Sequence, residues 1–223
     1  HMSFNIAIDG PAGAGKSTIA KLAAEKLSFI YVDTGAMYRA IALGLLRSHT
    51  DITNDEALAA RLAEISVEIS YVEGIQQVYL NGENVSGLIR TEEVSDMTSR
   101  SSAIAQVREK LTDLQRELAA KENVLMDGRD IGTTILPSAQ LKIYLTASVE
   151  VRALRRYKEY LEKGQKQWTL SDVERDVAER DYRDMHREVS PLCQAEDAVY
   201  LDSSDLTIEQ VVDRIVELAR ERM

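Results

Sequence analysis

The chain predicts an α/β fold: a three-layer sandwich with a five-stranded parallel sheet, plus an inserted small antiparallel β unit. Three observations carry that reading. Short apolar runs ending at Asp or Gly alternate with segments of helical period. The alternation breaks once, where period-two segments meet at Glu73-Gly74 and Asn81-Gly82. It then resumes and continues to the C-terminus.

Taken in order, Ser3 to Asp9 (SFNIAID) reads as a buried strand running into a glycine loop. Ile19, Leu22, Ala23 and Leu27 give Lys16 to Leu27 a helical spacing. Phe29 to Asp33 is a second strand and Met37 to Leu46 a second helix. Strand, helix, strand, helix at this pace implies right-handed crossovers and a parallel sheet. Asn54 to Ile65 reads as a helix capped by Thr53 or Asn54. Val67 to Val72 and Gln77 to Leu80 are the hairpin strands. Thr91 to Ser99 and Ala103 to Lys121 read as helices with solvated charges such as Glu109 and Lys110. Asn123 to Asp127, Leu141 to Leu145 and Ala198 to Asp202 supply the remaining parallel strands. Helices fill Val149 to Leu161, Ser171 to Arg187 and Ile208 to Arg222. Glu162 to Trp168 (EKGQKQW) is polar, carries a glycine and reads as a mobile loop.

Composition narrows the function. The 223 residues carry 27 basic and 37 acidic side chains, a net charge of −10, so a general nucleic-acid binder is not expected. Any anion must be gripped by local positive groups. One cysteine excludes an intramolecular disulfide framework and a cysteine-rich zinc site. Cys193 reads as a small buried apolar residue. His49 and His186 have no metal-ligand spacing, and His1-Met2 reads as a cloning remnant. The apolar stretch Ala40 to Leu46 is too short to span a bilayer, and no signal-peptide pattern is seen. A cytoplasmic protein with no membrane partner is expected.

The strongest motif is Gly10-Pro11-Ala12-Gly13-Ala14-Gly15-Lys16-Ser17, which fits G-x-x-x-x-G-K-[ST] at every fixed position. A strand precedes it and a helix follows, as the chemistry requires. Gly10, Gly13 and Gly15 let successive N–H groups point inward, and the helix N-terminus adds its dipole. The Lys16 ammonium reaches the β- and γ-phosphates, and the Ser17 hydroxyl suits Mg²⁺. Thr18 completes the expected ATP-binding segment. A dinucleotide fold would also use glycines after the first strand, with Asp33 on a ribose. The glycines do not space as G-x-G-x-x-G, however, because Thr18 stands at the third position. No [NT]-K-x-D for guanine is present, which argues against a GTPase. The 18 arginines against 9 lysines suit a small-molecule kinase, which needs a second anion site.

Three further segments add specificity. They are Asp33-Thr34-Gly35-Ala36-Met37-Tyr38-Arg39, Asp127-Gly128-Arg129-Asp130-Ile131-Gly132, and Arg180-Asp181-Tyr182-Arg183-Asp184 ahead of His186-Arg187. With the phosphate loop, in this order, the chain resembles the bacterial-type cytidylate kinases within the nucleoside monophosphate kinase family. The resemblance runs over nearly the whole chain. It implies a P-loop sandwich over 1–223, an inserted monophosphate-binding unit at 61–100 and a helical lid at 152–170. It also implies ATP with Mg²⁺, and CMP or dCMP as acceptor. A monomer is expected.

Arg39 and Arg129 lie at strand carboxyl ends, the side where open α/β sheets bind ligands. The resemblance assigns both to the monophosphate, with Thr34 and Tyr38 beside Arg39. Asp127 ends an apolar strand, where a carboxylate holds Mg²⁺ or its water shell. Arg180, Asp184 and Arg187 are spaced i, i+4, i+7 and are expected on one helix face. The resemblance turns that face to the nucleotide: Asp184 to a ribose hydroxyl, Arg180 and Arg187 to phosphate. For the base, it implies that Asp130 and Ser99 meet the cytosine amino group and Arg108 donates to the ring. Arg152, Arg155 and Arg156 lie at i, i+3, i+4 on the helix entering the polar loop, and Arg156 or Arg152 is expected to swing onto the transferring phosphate. Lys16, Arg129, Arg180 and Arg156 form the expected catalytic set. The alternatives are a kinase for UMP, AMP or a non-nucleotide, and an NTPase without acceptor.

Overall fold

The structure is a computed structural model that describes residues 2–223. In chain order the elements begin β1 (Ile6–Asp9), α1 (Lys16–Leu27), β2 (Ile30–Val32), α2 (Thr34–Arg47) and α3 (Asp55–Glu64). β3 (Val67–Val72), β4 (Ile75–Leu80), β5 (Glu83–Asn84), α4 (Glu92–Ser101) and α5 (Ala105–Lys121) follow. The chain then continues through β6 (Val124–Gly128), one π-helical turn (Ile131–Ile135), β7 (Leu141–Thr146), α6 (Val149–Glu162), α7 (Leu170–His186), β8 (Val199–Asp202) and α8 (Ile208–Arg222).

Two compact units result. The first holds the described residues up to Tyr31 together with Ala119–Met223; the second is Val32–Leu118. The first is built on a five-stranded sheet in the order β2-β6-β1-β7-β8. β1 runs parallel to both β6 and β7, with Asp9 opposite Gly128 on one side and Tyr144 on the other. The expected five parallel strands are therefore present, and their order puts the strand that feeds the glycine loop in the middle.

Continuous apolar strands explain this sheet, since parallel strands are covered on both faces. Ile6, Ile8, Leu125, Leu141, Ile143 and Leu145 are buried together with Ile19 and Ala23 of α1 and with Val212, Ile215 and Ala219 of α8. Each fully buried Ile or Leu contributes about 1.5–3 kcal/mol. The expected strand from Ser3 begins only at Ile6, because the preceding backbone N–H groups are satisfied by side chains. Phe4 N donates to Asn123 Oδ1 and Asn5 N to Gln140 Oε1.

The second unit contains the antiparallel sheet β3-β4-β5. Its register pairs Val67 with Leu80 and Val72 with Ile75, so Glu73 and Gly74 form a two-residue hairpin turn. Both take positive φ, 53° and 77°, as do Asn81 and Gly82 at 49° and 84°. Such turns match the twist of the flanking strands. Within this unit α2 packs on α4 and β4 through its apolar stripe, including Met37, Ile41 and Leu45.

Helix starts follow the capping rules. Asp33, Asn54, Thr91 and Ser148 each accept from the backbone N–H three residues on. Thr169 with Asp172 and Thr207 with Gln210 make capping boxes. α1 differs. It starts from Gly15 in a left-handed conformation with no side-chain cap, so its first N–H groups have no side-chain acceptor at the cap.

Two expectations are corrected. Arg187 does not continue the face of Arg180 and Asp184. α7 stops at His186, and Arg187 is extended (φ −67°, ψ 148°) with its guanidinium bonded to the carbonyl of Ser190. Periodicity alone does not mark the residue at which the backbone turns extended. Cys193 is exposed, not buried. It lies in the irregular stretch after α7, where the chain has no apolar period to turn it inward.

Candidate active site

The site of the first unit begins where β1 ends. A Cβ on Gly10 would sit 1.9 Å from the carbonyl oxygen of Leu145, so only glycine lets the loop leave the sheet at this point. Gly13 and Gly15 both take φ 80°, a left-handed conformation that turns the loop back on itself. The uncapped N-terminus of α1 completes a concavity lined by backbone N–H groups, a ready anion site.

Lys16 is 6% exposed and its Nζ donates to the Pro11 carbonyl at 3.0 Å. Burial, reinforced by the charge of Arg129, lowers its pKa to about 7. The carboxylates of Asp127, Asp9 and Asp184 offset this only in part.

At the carboxyl end of β6, Asp127 meets Ser17 and Tyr31. Ser17 Oγ donates to Asp127 Oδ2 at 3.4 Å, and the Tyr31 hydroxyl donates to Oδ1 at 2.6 Å. Ser17 and Asp127 are both hard oxygen donors. No cluster of three or more His, Cys, Asp or Glu with metal-binding geometry occurs among the described residues. Two oxygen ligands without a cage fit Mg²⁺, which takes its other ligands from phosphates and water.

Arg129 follows, and its Nε lies 3.3 Å from Asp184 Oδ2 on α7. Burial together with the charges of Arg129 and Arg156 lowers the pKa of Arg180 from its ordinary value. A cleft of about 720 Å³ is lined by residues 12–19 of the loop and by Asp127, Arg129, Arg156 and Arg180. The structure thus brings together Lys16, Ser17, Asp127, Arg129, Arg156 and Arg180, with Asp184 attached through Arg129. Arg155, Lys158 and Lys163 line the same cleft, so four guanidinium and three ammonium groups surround it, against the carboxylates of Asp127, Glu159 and Glu162: a locally basic cleft inside an acidic protein.

The three arginines of α6 separate sharply. Arg152 is 3% exposed and fully engaged: Nε donates to Ala147 O, Nη1 to Ala12 O, and both Nη atoms to the Asp181 carboxylate. It is a brace and not free to swing. Arg155 donates to Ser203 O at 3.0 Å. Arg156 lines the cleft and bonds Tyr160 OH at 2.9 Å, one turn along its own helix.

Asp130 lies just before the π-helical turn. It is 7% exposed, and its Oδ2 has no hydrogen-bond partner. Asp9 holds this turn in place: its carboxylate accepts from Ile131 N at 2.8 Å and Gly132 N at 2.7 Å. Burial raises the Asp9 pKa to about 6 against the pull of those bonds.

Thr34, Tyr38, Arg39, Ser99 and Arg108 all belong to the second unit. There Arg108 Nη1 donates to Tyr38 OH at 3.4 Å and its guanidinium lies 5.9 Å from the Tyr38 ring centre. Arg39 Nη1 donates to Ser95 Oγ at 2.7 Å and Ile89 O at 3.1 Å. Ser99 is exposed on α4, and Thr34 opens α2 under the cap from Asp33. Capping is the part Asp33 plays, not the ribose contact of a dinucleotide fold.

Sequence reasoning missed Asp9, Tyr31 and Asp181, and it missed the bracing contacts of Arg152. Only Asp9 carried a signal: a carboxylate ending a wholly apolar strand must have buried donors. The others act through partners between 29 and 140 residues away in the chain.

The strand–loop–helix geometry and the lysine-bearing cleft define a P-loop phosphotransferase. Its fold is shared with the shikimate kinase of Bacteroides thetaiotaomicron (TM-score 0.51, 18% identity, 97% of this chain and 98% of that one). An uncharacterized protein from Eubacterium ventriosum has a TM-score of 0.55 at 12% identity, covering 99% of each chain. In sequence, the chain is 51% identical to the cytidylate kinase of Ligilactobacillus salivarius over 98% of this chain and 97% of that protein. It is 47% identical to the cytidylate kinase of Bacillus subtilis, with the same coverage. The family description "Cytidylate kinase" matches residues 6–221. The chain belongs to the cytidylate kinase family and is a nucleoside monophosphate kinase.

Proposed function

We propose that this chain transfers the γ-phosphoryl group of ATP to CMP and dCMP, giving CDP and dCDP, as a cytoplasmic monomer. Membership of the cytidylate kinase family carries this reading. No helix among the described residues is long and apolar enough to cross a membrane.

ATP enters with its phosphates in the loop from Gly10 to Thr18. Lys16 moves its charge from the Pro11 carbonyl to the β- and γ-phosphates. Ser17 and Asp127 hold Mg²⁺, which neutralises phosphate charge when bound. Arg129 and Arg180 clamp phosphate oxygens bidentately, with Asp184 orienting Arg129. In the second unit, Arg39 serves the monophosphate, while Tyr38, Ser99 and Arg108 serve the nucleoside, with Thr34 at the start of α2. Asp130 accepts from the cytosine amino group, and its unpartnered Oδ2 supports that role. A buried acceptor rejects uracil, which offers a carbonyl there.

Transfer is in line: the acceptor phosphate oxygen bonds the γ-phosphorus as the bond to the β–γ bridging oxygen breaks. No general base is needed, because the acceptor is already anionic. Catalysis is positioning plus charge neutralisation. Water is the competing nucleophile, so the segments at 61–100 and 152–170 close before transfer. Of the three α6 arginines, we assign Arg156 to the transferring phosphate: it lines the cleft bonded to Tyr160 of its own helix, whereas Arg152 makes four hydrogen bonds to Ala147, Ala12 and Asp181. Arg187, whose guanidinium bonds the Ser190 carbonyl, is assigned to phosphate on the family resemblance alone.

The test is ADP formation from Mg-ATP with CMP, dCMP, UMP, AMP or no acceptor. A rate that requires CMP or dCMP supports the reading. Equal use of UMP removes the account of base choice, and a rate indifferent to acceptor removes the kinase assignment.

A further inference from the structure

Tyr31 lies at the centre of β2, partly buried, with its ring packed against the main core. The Lys21 ammonium lies 5.7 Å from the centre of that ring. Its hydroxyl donates to Asp127 Oδ1 at 2.6 Å, a short bond of the charge-assisted kind. The second oxygen, Oδ2, is the one that meets Ser17 Oγ. A carboxylate at a strand end turns about two side-chain torsions unless a partner holds it. The phenol engages one oxygen and thereby leaves the other directed at the start of α1.

We propose that Tyr31 is a positioning residue for the divalent cation of the metal–nucleotide complex. By engaging Oδ1 it holds Asp127 so that Oδ2 and the Ser17 hydroxyl face the same point beside the nucleotide phosphates. The inference rests on the kinase reading only in taking Ser17 and Asp127 as the metal-facing groups. Partners of metal ligands that do not themselves touch the metal commonly govern affinity by orienting them. Tyr31 is suited to this because its ring is anchored, so the hydroxyl arrives at a fixed place.

The experiment compares the full chain with its Tyr31→Phe variant, which removes one hydroxyl and keeps the ring. Mn²⁺ is titrated in the presence of ATP and without acceptor, with free Mn²⁺ read by electron paramagnetic resonance. ATP binding in EDTA is measured alongside by calorimetry. The expected result is Mn²⁺ held about tenfold more weakly, with metal-free ATP affinity and the KM for CMP unchanged. In an Asp127→Asn background the same change has no further effect on Mn²⁺. Unchanged Mn²⁺ affinity with a lower melting temperature would overturn the proposal, because Tyr31 would then only pack the strand. Equal loss of metal-free ATP binding would also overturn it, placing the effect in the phosphate loop. Failure of the kinase reading is separate: it shows as wild-type protein that binds Mn²⁺ and ATP yet forms no extra ADP with CMP.

Discussion

Arg152 and Asp181 join α6 to α7 through two hydrogen bonds of 2.8 and 2.6 Å, and the same guanidinium holds the Ala12 carbonyl of the phosphate loop. One buried cation thus fixes two helices and the loop between β1 and α1. The Arg152 side chain is 4% exposed and that of Asp181 14%, so the guanidinium is cut off from water and the carboxylate largely so.

Removing one partner of such a pair leaves the other buried and unpaired. Arg152→Ala is expected to cost about 3–5 kcal/mol of stability and to raise the KM for ATP more than that for CMP. Arg152→Lys does not rescue it, because an ammonium cannot bridge three acceptors in one plane. Denaturant melts and initial rates check both. A stability loss below about 1 kcal/mol would remove the brace.

Lys16 makes ATP binding take up a proton. Its pKa is about 7 in the free protein, and phosphate beside it returns the value toward that of an ordinary lysine. Above pH 7 the free protein is increasingly neutral at Lys16 while the complex stays charged. ATP affinity therefore falls as pH rises, and calorimetry at pH 8 in buffers of different ionisation enthalpy shows uptake. Lys16→Arg, always protonated, shows none from this group. The same shift acts on folding: the unfolded chain holds this proton up to about 10.5, so stability rises between about pH 7 and 10.5 from this group.

Asp9 acts with the opposite sign. Its pKa rises from 3.8 unfolded to about 6 folded, so the native protein binds the extra proton between those values. Its contribution is most favourable below pH 4 and is lost as pH rises through 6. Asp9→Asn keeps one acceptor for the two N–H groups and flattens that part of the profile. Melting temperature against pH for both proteins checks it, and superimposable profiles would refute it.

Arg108 and Tyr38 lie together in the second unit, the guanidinium near the ring and the hydroxyl. Arg108→Ala is expected to raise the KM for CMP about 10- to 100-fold, the value of a charged hydrogen bond lost to the base. The KM for ATP stays within about twofold. An equal rise in both would mean the pair serves the fold and not the nucleoside.

Trp168 is 48% exposed in the loop between α6 and α7. Closure of the 152–170 segment on ATP and CMP is expected to change its emission, and Trp168→Phe removes the signal. Constant emission at saturating ATP and CMP would place the moving part elsewhere.

Local signals were legible in the chain. The phosphate loop, the bounds of α1 and α8, the hairpin at Glu73-Gly74 and the cap at Asn54 all follow from residues within one or two turns of each other. The end of α7 did not, because the apolar and charge period runs on past His186 while the backbone at Arg187 is already extended and its side chain bonds Ser190. Nor did the π-helical turn at Ile131, whose backbone donors are held by Asp9, 122 residues earlier.

By itself the sequence determined an acidic α/β chain with a lysine-bearing phosphate loop, since turn geometry, capping and apolar period are properties of neighbouring residues. The tertiary structure decided which charges are buried with partners and which line the cleft. It set β1 between β6 and β7, locked Arg152 while leaving Arg156 at the cleft, and put Tyr31 on Asp127. Those outcomes depend on burial and on partners distant in the chain, and both exist only once the sheet has formed.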